Sequence, residues 1–309
     1  MTLWPVARAP MPAAMSAPAR GQRLVKVAYH SFPPCCPARA SHAPPLHMPG
    51  GAGRTMSNRR GSTNRSDAWQ REARNTGYRT RSAFKLKQIQ ERFGLIRRGD
   101  TVLDVGCHPG GWSQVAVEEV GEDGAVIGVD LKGCAPVDGC TFVVGDITDE
   151  GTQQRIRDAL EGDVLRVVVS DISPGLTGQY EMDQAISTEL VCSVFDFAYP
   201  LMGSGGVLVT KVFQGRGIEA LISAANTRFS TVQRFSPDAS RNSSSETYLV
   251  CRNRKEKPSK GTGTMSVQEL VNRSLADDGF VIPAGESDER REAGRVGFRL
   301  VKSTSGDDE

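Results

Sequence analysis

The chain has 309 residues, with 38 Lys or Arg against 36 Asp or Glu, for a formal net charge of +2. Apolar residues make up 38% and charged residues 24%, which fits one large or two small folded domains and excludes a wholly disordered chain. No stretch reaches the ~18–20 apolar residues of a membrane-spanning helix, so no membrane partner is expected. The seven Cys are odd in number and show neither a C-x-x-C pair nor zinc-type spacing, which predicts a reducing, cytoplasmic setting and no metal.

Charge is distributed unevenly. The first acidic residue is Asp67, and nine Arg or Lys precede it. Residues 67–309 therefore carry 29 basic and 36 acidic side chains, a net charge of −7, so an anionic partner must meet a local patch rather than a global field. Residues 1–55 hold ten of the seventeen prolines and no acid. They are predicted to be a disordered leader, with translation starting at Met56. A catalytic domain is expected over 56–257, and a Gly/Ser-rich acidic tail over 258–309.

Taken in order, apolar β-rich runs occur at 101–106, 125–131, 141–147, 164–172, 206–213, 230–235 and 246–251. Helix-compatible stretches lie at 111–120, 152–160, 182–200 and 218–229, with a further short helix at 266–275 and a short strand at 297–301. Strands alternating with helices predict an α/β fold, a mostly parallel seven-stranded sheet covered on both faces.

The first strand, Val102-Leu103-Asp104-Val105-Gly106, leads into Cys107-His108-Pro109-Gly110-Gly111-Trp112. A glycine-rich turn between strand and helix lets the backbone approach a ligand at the carboxyl edge of a sheet. An ordinary βα turn explains such a loop taken alone, but two acids shift the balance. Asp130 ends the second strand, where a carboxylate accepts hydrogen bonds from both hydroxyls of a ribose. Asp146 ends the third strand, placed for an adenine amino group. The dinucleotide-binding pattern G-x-G-x-x-G fits less well, and His108, without a second His or Cys at ligand spacing, reads as a loop residue.

Four polar residues interrupt the apolar pattern. Lys211 lies in a run that should be a buried strand, where a lysine is costly unless paired or functional. Asp171 ends the fourth strand and Glu246 opens the last. Lys85 sits on a helix ahead of the first strand, expected to come from outside the sheet and face a substrate. Singly, Lys85 reads as a solvated helix face and Asp171 as a helix cap. Together, two lysines and two carboxylates at one edge form a charge-balanced cluster.

These stretches resemble the FtsJ/RrmJ family of ribosomal RNA 2′-O-methyltransferases, of the large subunit methyltransferase E type. The matching segments are Ser82-Ala83-Phe84-Lys85-Leu86, residues 102–114, Gly128-Val129-Asp130-Leu131, Asp171-Ile172-Ser173-Pro174, residues 205–215 and residues 239–250. They occur in the family's order and span about Asp67 to Asn253. The resemblance implies a Rossmann-like S-adenosylmethionine-dependent methyltransferase fold. It also implies a catalytic tetrad of Lys85, Asp171, Lys211 and Glu246, and S-adenosylmethionine contacts at Gly110, Trp112, Asp130, Asp146 and Asp171. Cys107-His108 replaces the small residues usual before the Pro-Gly-Gly, and Gly175 stands where Asn is common.

The activity so implied is methylation of a uridine 2′-oxygen in 23S ribosomal RNA, with free RNA or the assembled large subunit as partner, no DNA, and a monomeric enzyme. Alternatives are a transfer RNA or messenger RNA cap substrate, or an RNA-binding ribosome assembly factor. Lys211 is expected to accept the hydroxyl proton, or else to orient the hydroxyl. Nine Lys or Arg in 71–98 and five more in 252–260 are expected to hold phosphates.

Overall fold

The computed structural model describes residues 61–175, 178–215, 217–240 and 246–278, with backbone alone for 61–67 and Glu181. The leader, the polar run 242–245 and the strand expected at 297–301 lie outside the described residues.

Two helices come first, α1 (Gly61–Thr76) and α2 (Ala83–Phe93). The alternating part follows as β1 (Thr101–Val105), α3 (Gly111–Val120), β2 (Ala125–Asp130), β3 (Cys140–Val144), α4 (Glu150–Ala159) and β4 (Leu165–Ser170). It continues with α5 (Tyr180–Leu201), β5 (Met202–Phe213), α6 (Ile218–Arg228), β6 (Phe229–Phe235), β7 (Glu246–Arg254) and α7 (Val267–Asp277). The seven strands form one sheet in the order β3-β2-β1-β4-β5-β7-β6. β1 to β5 are parallel, and β7 runs antiparallel to both β5 and β6. The expected α/β sheet is therefore present, with every expected strand from 101 to 251 in place.

All five residues of β1 are buried, as a central parallel strand covered on both faces requires. One face packs Ala73, Leu86, Ile89, Trp112, Val115 and Val120 of α1, α2 and α3 against Val102, Val167, Val169, Val209 and Val250. The other packs α4 to α7 against Leu103, Val105, Val168, Leu208 and Leu249. α1 escapes the sequence pattern because it has few apolar residues to mark a face, and among its described side chains only Ala73 reaches the core. α7 lies beyond the expected boundary at 257, yet it is part of this body: Val267 and Val271 are buried in the second core. Asp196 of α5 accepts the Val267 N–H at 2.6 Å, and Ser266 and Glu269 form a capping box.

Candidate active site

Period two along the strands builds the site. Val102, Val169, Val209 and Val250 line the core beneath α1–α3. Two residues onward on that face, at the carboxyl edge of the parallel strands, lie Asp104, Asp171 and Lys211; two and four residues back along β7 lie Tyr248 and Glu246. The antiparallel register pairs Lys211 with Tyr248 and Phe213 with Glu246. The apolar face thus ends in a row of ionisable groups.

They meet in two linked pairs. Lys211 Nζ donates to the Asp171 carbonyl at 2.7 Å and lies 3.1 Å from Asp171 Oδ1. Lys85 Nζ lies 2.6 Å from Glu246 Oε1. Side-chain exposure is 7% for Lys211 and 10% for Lys85, so neither is a solvated cation. The solvated helix face open to Lys85 taken alone does not hold: α2 turns it into the sheet edge, toward the partly buried Glu246 carboxylate. Tyr248 connects the pairs, its hydroxyl donating to Asp171 Oδ1 at 2.8 Å and its ring centroid 5.8 Å from Lys85 Nζ. Burial, with the Asp171 and Glu246 charges beside it, pushes the Tyr248 hydroxyl well above its ordinary pKa. Tyr248 therefore stays a neutral donor. Sequence reasoning missed it, although it lies two residues from Glu246 on the same strand face.

The glycine loop lies beside this cluster. Gly106 has φ +77°, and a Cβ there would stand 2.7 Å from the Ile172 Cα, so only glycine fits. Gly110 caps α3 in the left-handed region with φ +107°, and the first N–H groups of the helix are left for a partner outside it. Asp130 Oδ2 accepts the His108 N–H at 3.0 Å and Oδ1 the Lys132 N–H at 2.9 Å. Asp146, exposed two residues past β3, accepts the Thr148 N–H and hydroxyl on Oδ1. His108 is exposed, with Nδ1 3.1 Å from the Gly133 carbonyl, in keeping with a loop residue.

Trp112 departs from a simple cofactor contact. Its side chain is 2% exposed, its indole N–H donates to the Ser82 carbonyl at 2.7 Å, and its ring packs on Tyr248. Only its backbone N–H, in the first turn of α3, is left to face a ligand.

Asp104 is fully buried, and burial pushes its carboxyl up to about 7, helped by the charges of Asp171 and Asp130 and opposed by the Ser113 hydroxyl at 2.6 Å. Its Oδ1 has no hydrogen-bond partner among the described residues. Arg79 straps the loops together. Its guanidinium donates to the carbonyls of Pro109 at 3.0 Å, Ala135 at 2.7 Å and Pro136 at 2.7 Å. The second basic run does not join the site. β7 carries the chain away from Glu246 for eight residues, ~27 Å at a strand's rise, to Arg254 at the opposite edge. There Arg254 packs on the Tyr199 ring at 4.5 Å, and Lys255 Nζ donates to the Asn226 carbonyl at 2.7 Å.

A profile of the FtsJ-like methyltransferase family matches residues 78–254, more than half of the chain. The chain belongs to this family. A Natronomonas pharaonis protein named Ribosomal RNA large subunit methyltransferase E is 43% identical over 215 residues, covering 70% of this chain and 83% of that one. One of the same name from Methanoculleus marisnigri is 44% identical over 193 residues, covering 62% of this chain and 94% of that one. A crystal structure from Plasmodium falciparum, described as a ribosomal RNA methyltransferase, superposes with a TM-score of 0.52 at 26% identity, covering 57% of this chain and 98% of that one. The FtsJ-like match begins at Tyr78, so it takes in the strap and all four tetrad residues.

Proposed function

We propose that this FtsJ-like methyltransferase moves a methyl group from S-adenosylmethionine to the 2′-oxygen of a uridine ribose in large-subunit ribosomal RNA. The observation that carries this reading is the buried Lys85–Glu246 and Lys211–Asp171 pairing beside the glycine loop. The names of the archaeal relatives support ribosomal RNA as the substrate class.

The residues present fit the donor. The partnerless Asp104 Oδ1 suits an ammonium group, and the open N–H groups after Gly110, that of Trp112 included, suit a carboxylate at a helix N-terminus. Asp130, already fixed by two backbone N–H groups, takes the ribose hydroxyls, Asp146 takes the adenine amino group, and Asp171 borders the methyl end. When bound, the donor supplies a sulfonium methyl that is already electrophilic. The protein therefore contributes mainly position and a route for the hydroxyl proton. Lys211 directs two contacts to Asp171. Its remaining valence holds the hydroxyl or, in the neutral amine, takes its proton as the oxygen–carbon bond forms. Tyr248 fixes Asp171, and Glu246 fixes Lys85 alongside.

The test is transfer of labelled methyl onto purified large subunits, free ribosomal RNA and bulk transfer RNA, with the modified nucleotide mapped. A 2′-O-methyluridine in large-subunit RNA is expected. Label confined to transfer RNA would overturn the substrate assignment.

A further inference from the structure

Beside the tetrad, a cleft of ≈ 680 Å³ opens between α1, α2 and the loop joining β6 to β7, lined by Ala68, Trp69, Glu72, Phe84 and Asp238. We infer that this cleft is a nucleobase subsite: it takes an unpaired base flanking the methylated nucleotide, one with an exocyclic amino group. The inference rests on the RNA reading above and adds a specificity element to it.

Three observations point to this occupant. First, the lining is aromatic: the Trp69 and Phe84 rings lie 5.1 Å apart at 39°, and Tyr78 supports Phe84 edge-on at 5.7 Å. Trp69 and Phe84 are each only partly buried, so the braced pair offers a ring surface for stacking. Second, the polar groups at its rim are acceptors. Glu72 lies one turn from Trp69 on α1, Asp238 faces it from the loop, and neither forms an ion pair with a described residue. A carboxylate accepts from the amino edge of guanine, cytosine or adenine, whereas uracil offers no amino group.

Third, the lining adjoins the tetrad along the chain: Phe84 precedes Lys85 on α2. Gln88 of α2 ties the loop holding Asp238 down through the Ala239 N–H at 3.2 Å. A basic protein side chain would also suit rings and carboxylates. The exposed Arg92, which shares a second hollow with Asp238, disfavours such a partner and suits the phosphate next to a base.

The experiment uses the full chain and a ribosomal RNA fragment containing the mapped uridine. Trp69→Leu is expected to raise the RNA KM about 10-fold, with kcat within about 2-fold and S-adenosylmethionine affinity unchanged, while Trp69→Phe keeps KM within about 3-fold. In a fragment with a flanking guanosine replaced by inosine, which lacks the amino group, KM should rise for wild type. It should rise less for the Glu72→Gln/Asp238→Asn variant, which does not depend on Trp69 replacement being tolerated. Binding of the fragment should quench Trp69 emission, a signal that does not need turnover.

Wild-type KM, kcat and quenching in Trp69→Leu would overturn the subsite while leaving the methyltransferase reading intact. Loss of kcat at unchanged KM would overturn it in favour of a structural role. A KM effect seen on assembled subunits but not on free RNA would assign the cleft to a protein side chain. Quenching without methylation of the fragment by wild type would keep the subsite and overturn the substrate assignment.

Discussion

The two edges of the sheet use the same residue types in opposite ways. At the carboxyl edge, Lys85 and Lys211 are buried against carboxylates, with Tyr248 between them. At the amino edge, Arg254, Lys255 and the buried Arg228 donate to backbone carbonyls, and the two arginines stack on Tyr199. A carbonyl satisfies a cation without offering it anything to exchange. A carboxylate pair holds a cation whose hydrogen bonds and proton can be redirected to a substrate. Positive charge is common to both edges, and what sets the carboxyl edge apart is a carboxylate partner for each lysine.

Breaking the carboxyl edge should have the largest effect. Lys211→Ala is expected to lower single-turnover methylation ~10²-fold or more, the scale of a positioned acid or base, with cofactor affinity near wild type. Lys211→Arg should not restore the rate, because a guanidinium stays protonated and is shaped as a fork. Rates for Lys211→Arg within a few-fold of wild type from about pH 6 to 10 would reduce Lys211 to a positioning group.

Tyr248→Phe removes a neutral donor from an ionised acceptor. Stability should fall by ~1.5–3 kcal/mol and the methylation rate by less than in Lys211→Ala. Chemical denaturation and single-turnover rates read the two effects, and a loss as deep as that of Lys211→Ala would mean that Tyr248 touches the reacting groups.

Asp104 sharpens the comparison through pH. Its folded-state pKa of about 7 lies above the ~3.9 of an unfolded Asp, so the native state binds the extra proton. Its contribution to stability is present in full below about pH 4 and is lost as pH rises toward 7, at up to about 1.4 kcal/mol per pH unit. Asp104→Asn should flatten that slope in urea melts of the protein without cofactor. An unchanged slope would show that Asp104 is not the group titrating there.

The smallest effect is expected at the amino edge. Lys255→Ala should lower stability by about 1 kcal/mol or less and leave the RNA KM within about 2-fold. A large rise in KM would return residues 252–260 to the RNA path.

The sheet was legible in the sequence because its strands are short apolar runs separated by turn residues, and the site was legible where polar residues break those runs, as at Lys211. Tyr248 was not: in Glu246-Thr247-Tyr248-Leu249-Val250 an aromatic looks like one more strand residue, and its role depends on which residue the antiparallel register places opposite it. The basic run at 252–260 was misplaced for a related reason. Nearness to Glu246 in sequence says nothing about which end of β7 faces the site, and the reversal of β7 sends the run to the far edge. Asp104 was visible as a carboxylate near a strand end, but its lack of a partner on Oδ1 depends on a three-dimensional inventory of donors.

The strap around Arg79 bears on how two ligands would affect each other. Tyr78 and Ser82 belong to the segment that presents α2, while Arg79 grips the glycine loop and the loop after β2, and Ser82 holds Trp112. The segment next to the Trp69 cleft and the loops around the proposed donor site are thus joined by hydrogen bonds. A ligand at one end that shifts these bonds would alter the free energy of occupancy at the other. Thermodynamic reciprocity makes that influence equal in both directions, so each substrate of the pair would report on the arrival of its companion.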